Sequence, residues 1–171
     1  PTSEASKPDL SNKEISDLTP EEVTKQVFQA IEASDEMAIK PLLNALTYYK
    51  HNDEGETAIT LAIQNDDEEM VSLLVEDAVI NLKNKAGETP LTLAIKKGNP
   101  KIIELVSKRA KAALKNDAGE APLFLAIEND DLFLIQKLIN KGADVNRKSN
   151  GTSPIAQATQ LNKARVLALL I

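Results

Sequence analysis

"GETPLTLAIKKGNPKIIELV", residues 87–106, decides how this chain folds. Thr89 stands before Pro90, and Asn99 stands before Pro100. Proline suits the first position of a helix, where its missing N–H has no partner to lose. A Thr or Asn just before it accepts a bond from one of the orphan N–H groups of the first turn. The stretch therefore holds two helix starts. Leu91, Leu93, Ala94 and Ile95 belong to a first helix of about two turns. Gly98-Asn99 breaks it. Ile102, Ile103, Leu105 and Val106 then give a second helix an apolar stripe at helical spacing.

The pattern recurs at a fixed period. Gly55, Gly87, Gly119 and Gly151 lie 32 residues apart, and Ala62, Ala94, Ala126 and Ala158 keep the same step. One step back lies Ala30, in a stretch that keeps the apolar pattern but has neither the Gly nor the Thr-Pro. A period in this range marks stacked supersecondary units. Asp66-Asp67 and Asp130-Asp131 replace Gly98-Asn99 at the break, which is also helix-starting chemistry. The expected architecture is all-α: five helix–turn–helix units over about 20–50, 51–82, 83–114, 115–146 and 147–171, the first an atypical N-terminal cap.

"GETPLTLA" resembles the ankyrin signature Gly-x-Thr-Pro-Leu-His-x-Ala. "INKGADVNRKSNG", residues 139–151, resembles the connector that ends an ankyrin second helix and forms the projecting turn. The resemblance covers residues 20–171 and implies an ankyrin solenoid. Two departures stand out. The period is 32 instead of 33, and Thr60, Thr92, Phe124 and Ala156 replace the signature His. Since that His helps tie the turn together in the family, the turns here are expected to be held differently.

Residues 1–18 are rich in Ser, Pro, Lys and acids, so they read as a disordered tether ahead of a domain spanning 19–171. Thr19 is the expected N-cap of the first helix, with Pro20 inside it and Glu21 and Glu22 favourable in its first turn. Two readings of Pro1 stay open: a trimmed start, and a mature chain whose leader has been removed. The second implies a periplasmic or otherwise exported protein, the first leaves a cytoplasmic one. Cysteine is absent, which excludes disulfides, thiolate metal sites and cysteine nucleophiles.

Twenty-six acids against twenty bases argue against nucleic acid, which needs clustered positive charge. No apolar run is long enough for a membrane span. His51, the one histidine, has no nucleophile placed beside it by any motif. "NDDEE" at 65–69 and "ENDD" at 128–131 lack the alternating ligands and central Gly of a calcium loop, and helix capping accounts for both. Asn150-Gly151 reads as a turn. The sequence thus gives no catalytic residue, metal site or cofactor, and the protein is expected not to be an enzyme.

Stacked repeats present an extended binding face. The resemblance implies that a partner meets the projecting turns and the exposed side of the first helices. By position these are Asp53, Glu54, Glu56, Gln64 and Asn65 in the second unit, and Lys85, Glu88, Lys96 and Lys97 in the third. The fourth unit supplies Asp117, Glu120, Glu128 and Asn129. Lys96-Lys97 reads as a positive island among acids, and replacing Lys96 is expected to leave stability unchanged. Tyr48 and Tyr49, the only tyrosines, are the expected aromatic anchors. Phe124 sits at the polar signature position and reads either as a partner contact or as a repacked turn.

Three functions follow. The first is an adaptor or stoichiometric inhibitor of a partner enzyme, monomeric when unbound. Exported bacterial ankyrin proteins include self-protection (immunity) inhibitors of the cell's own hydrolases, such as those acting on the cell wall. The tether, the missing Cys and the small size are similar to those. The second is a secreted effector that binds a host protein. The third is a regulatory fragment of a larger enzyme.

Overall fold

The computed structural model describes residues 15–43, 51–75 and 78–171. Among them are ten α-helices and no strand, in five pairs. These are α1 (Pro20–Glu32) with α2 (Glu36–Ile39), α3 (Ala58–Gln64) with α4 (Glu68–Leu74), and α5 (Pro90–Lys97) with α6 (Pro100–Arg109). They continue with α7 (Pro122–Glu128) and α8 (Leu132–Asn140), then α9 (Pro154–Gln160) and α10 (Ala164–Leu170). The expected five units are present. The first helices pack as a continuous file, α1 on α3, α3 on α5, α5 on α7 and α7 on α9. Second helices pack α4 on α6 and α8 on α10.

The helix starts are capped as their sequences demand. Thr19 and Glu22 form a reciprocal capping box at α1. Asn99 Oδ1 accepts from the backbone N–H of Lys101 and Ile102 at 2.9 and 3.2 Å. Asp67 and Asp131 cap α4 and α8 in the same way. Each unit turns between its helices through one left-handed residue: Ser34 (φ 51°), Asp66 (58°), Gly98 (84°), Asp130 (58°) and Asn162 (55°). These also fall 32 residues apart. The first unit, without the sequence signature, thus shares the backbone break of the others.

A single hydrophobic core runs through all five units. Ala62, Ala94, Ala126 and Ala158 are wholly buried and Ala30 nearly so, along the file of first helices. Ile15–Asp17 forms one 3-10 turn and Leu18 packs against the core, so the packed chain reaches back into the segment expected to be tether. Residues 1–14 of that segment lie outside the described residues.

Candidate protein-binding face

The turns before α3, α5 and α7 share one construction. Asn52, Asn84 and Asn116 each close a turn: the N–H of Gly55, Gly87 and Gly119 donates to the Asn carbonyl at 2.9–3.0 Å. The Asn side-chain oxygen accepts from the backbone N–H of Glu56, Glu88 or Glu120 at 2.8–2.9 Å. Successive turns then touch. The Lys85 N–H donates to the Gly55 carbonyl at 2.7 Å, and the Asp117 N–H donates to the Gly87 carbonyl at 2.9 Å. A Cβ at Gly87, whose φ is +78°, would lie 2.4 Å from Asp117 Cβ, so both backbone angle and the next turn require glycine there. The last turn differs. Asn150 and Gly151 both have positive φ, and Ser149 pairs with Thr152 in the tight reversal that Asn-Gly favours.

The place of the missing signature His is filled by threonine in two units. Thr60 and Thr92 each close a reciprocal cap with Thr57 and Thr89, all four hydroxyl-bearing residues being buried. The Thr60 and Thr92 hydroxyls donate to Glu56 and Glu88 at 2.7 Å. Those carboxylates also accept from the next unit: Asn84 Nδ2 reaches Glu56 at 3.0 Å, and Asn116 Nδ2 reaches Glu88 at 3.0 Å. Lys96 Nζ completes the ladder, donating to Glu88 at 2.7 Å and to Glu120 at 2.5 Å.

The ladder sets its own protonation. Burial opposes ionisation of Glu88, but hydrogen bonds from Lys96, Thr92 and Asn116 outweigh it, so its carboxyl titrates below the ordinary glutamate value. Glu120 is lowered by hydrogen bonds from Lys96 and Asn116. Lys96 is raised by its bonds to Glu120 and Glu88. Lys96 is therefore not a free positive island, as its sequence suggested. It is a bridge between two units, and its replacement should be felt in stability.

Of the other expected contacts, Asp53, Glu54, Gln64, Asn65, Lys85 and Lys97 are exposed. Asp117, Glu128 and Asn129 are exposed too, but Asp117 pairs with Lys83 at 2.6 Å and Glu128 accepts from Gln157 at 2.7 Å. Glu56, Glu88 and Glu120 are half-buried in the ladder. Of the two readings of Phe124, its burial fits the repacked turn: it is 7% exposed. Its unit has Ala121 where the others carry a capping Thr, and α7 starts without a side-chain cap. With no hydroxyl pair to build, the position holds an apolar ring inside the fold. Tyr48 and Tyr49 lie outside the described residues.

Two crevices open between a first helix and the following turn. One, of about 210 Å³, lies between α7, the last turn and α9. The larger, about 580 Å³, lies between α1 and the turn at 51–54. Phe28 and His51 line it, together with the carboxylates of Glu21, Glu32, Asp53 and Glu54. His51 Nε2 donates to the Lys83 carbonyl at 2.8 Å, so the imidazole serves the stack of turns. The first-unit carboxylates Glu21 and Glu32 were not foreseen as part of this face. Neither was the structural role of Asn84 and Asn116, although their 32-residue spacing, shared with Asn52, equals that of the glycines.

Comparison with known proteins agrees with this construction. A family model for ankyrin repeats in three copies matches residues 27–116. A model for a single ankyrin repeat matches residues 118–150. No curated protein matches the chain.

Proposed function

The chain belongs to the ankyrin-repeat family, whose repeats form protein–protein interaction scaffolds, and from that premise we propose that it acts by occupying one protein partner's surface. The binding face consists of the turns and the outer side of the first helices. The observation that carries this reading is the row of exposed side chains there, held on turns whose backbones are tied to each other. Such a face is preorganised, so little ordering cost is left to binding.

The finer reading is a stoichiometric inhibitor of a partner enzyme, of the self-protection type, in an exported setting with the N-terminal segment as its tether. Three of the groups on this face that could act in proton transfer have other tasks: His51 bonds a backbone carbonyl, and Glu88 and Glu120 are engaged by Lys96. The imidazole and these two carboxylates thus serve the stack of units, which supports action by occupancy. Affinity capture from native extract, identification by mass spectrometry and titration of the captured enzyme test it. Inhibition that saturates at one equivalent, with competition by substrate, is the expected result. A captured protein without enzymatic activity would make the chain an adaptor, a host protein would make it an effector, and loss of all capture would remove the reading. Tyr48→Ala or Tyr49→Ala is expected to weaken capture by at least about 1 kcal/mol if these rings are anchors.

A further inference from the structure

The first turn breaks the pattern of the ladder. Asn84 and Asn116 send their side-chain N–H groups to a carboxylate of the preceding unit, Glu56 and Glu88. For Asn52 the matching position, 28 residues back, is Thr24, whose hydroxyl donates to the Pro20 carbonyl. Among the described residues the Asn52 amide finds no acceptor, and Asn52 and Thr24 both line the 580 Å³ crevice beside α1. The fold thus leaves one donor of a repeating network open, at its N-terminal end.

Among the described residues, acidic charge outweighs basic at the same place. Along the rest of the face Glu88 and Glu120 share Lys96, and Asp117 pairs with Lys83. Around the crevice, the carboxylates of Glu21, Glu32, Asp53 and Glu54 form no hydrogen bond or ion pair among the described residues, of which Lys25 is the one lysine in the lining. Low-dielectric walls such as Phe28 concentrate that field.

We propose that this crevice receives an extended, arginine- or lysine-bearing segment of a protein partner, a main-chain carbonyl of which accepts from Asn52 Nδ2 while its cationic side chain sits among Glu21, Glu32, Asp53 and Glu54. The proposal rests on the scaffold reading above and names the partner chemistry of its N-terminal end. Both halves of the occupant answer an observation: the carbonyl satisfies the open amide, and the cation satisfies the unpaired carboxylates. A carboxylate ligand would satisfy the amide but meet the acids.

The test is an amide chemical-shift titration of the ¹⁵N-labelled chain with an acetylated, amidated pentapeptide GRARG. Its citrulline analogue and spermidine serve as separate arms. Saturable shifts at Lys25, Gln29 and His51 to Glu54 are expected, with a Kd on the order of 1 mM for so short a probe. The citrulline analogue should bind at least about fivefold more weakly, and so should the parent peptide at about 0.5 M salt, where the field is screened. Asp53→Asn/Glu54→Gln should weaken the peptide similarly while leaving the melting temperature unchanged, since neither side chain has a partner to lose. Asn52→Asp keeps the turn acceptor, removes the donor and adds a charge, so spermidine should bind it more tightly and the peptide less. Shifts absent from the crevice, or equal binding of the citrulline analogue, would overturn the proposal. Tighter peptide binding to Asn52→Asp, or spermidine matching the peptide on the parent chain, would also overturn it. If Asp53→Asn/Glu54→Gln retains a captured native partner fully, the crevice assignment fails while the scaffold reading stands.

Discussion

Asn116 joins two units through one side chain: its Nδ2 donates to Glu88 at 3.0 Å, while its Oδ1 accepts from the Glu120 N–H at 2.9 Å. It is 4% exposed, so water cannot replace either bond. Asn116→Ala is expected to cost about 2–3 kcal/mol in urea denaturation, since the half-buried Glu88 carboxylate and the turn both lose a bond. Asn116→Asp keeps the turn but sets a third carboxylate beside Glu88 and Glu120. It should be more destabilising than alanine at pH 7 and recover relative to the parent chain as pH falls towards 4. Equal loss at both pH values would show that the amide does not face those carboxylates.

Lys96 makes a related prediction with a pH signature. The folded values of Glu88 and Glu120 lie below the ordinary one. Their contribution is therefore complete above the unfolded value of about 4.3 and disappears as pH falls through the folded values. Lys96 is raised, so its contribution is complete below about 10.4 and disappears as pH climbs through its folded value. Lys96→Met should cost about 1 kcal/mol between these limits, a discounted figure because the lysine is partly exposed. The difference from the parent should shrink at both ends. A pH-independent difference would assign the loss to packing of the lysine stem.

Two glycines with nearly the same backbone angle should differ in cost. At Gly98, φ is +84° and a Cβ would meet no atom within 4 Å. Gly98→Ala should cost about 1–2 kcal/mol, the strain of a left-handed residue alone. Gly87→Ala adds the approach to Asp117 Cβ at 2.4 Å and should cost clearly more. Comparable urea midpoints for the two variants would contradict the stacking of turns.

Ala94 is wholly buried along the file of first helices. Ala94→Leu should cost about 1–3 kcal/mol by overpacking, without loss of helix in circular dichroism. Unchanged stability would mean that the file has room at this column.

What the sequence revealed was what is local. The caps Thr19, Thr89, Asn99, Asp67 and Asp131 work within three residues of themselves, so their chemistry can be read along the chain. The 32-residue step placed the five units because each repeats the same local signals. Lys96 was misread for the opposite reason. Its partners are eight residues back and 24 residues ahead, and only the stacking of units brings Glu120 to it. Phe124 needed knowledge that its own helix lacks a cap, which Ala121 showed in the sequence but whose consequence is a matter of packing. Asn52, Asn84 and Asn116 share the 32-residue step of the glycines and are legible by it, but what the amides of Asn84 and Asn116 reach is set by the preceding unit.

The backbone bonds from Lys85 to Gly55 and from Asp117 to Gly87 bear on how the molecule comes apart. Both donors sit on exposed turn residues, where amide protons ordinarily exchange with solvent within moments. Here each is released only when two adjacent units separate. Deuterium uptake at these two amides therefore reads the opening of single seams, the second–third and the third–fourth, separately from the melting of any helix. In a stack whose cohesion is shared between nearest neighbours, those two sites act as built-in gauges of where the array first parts.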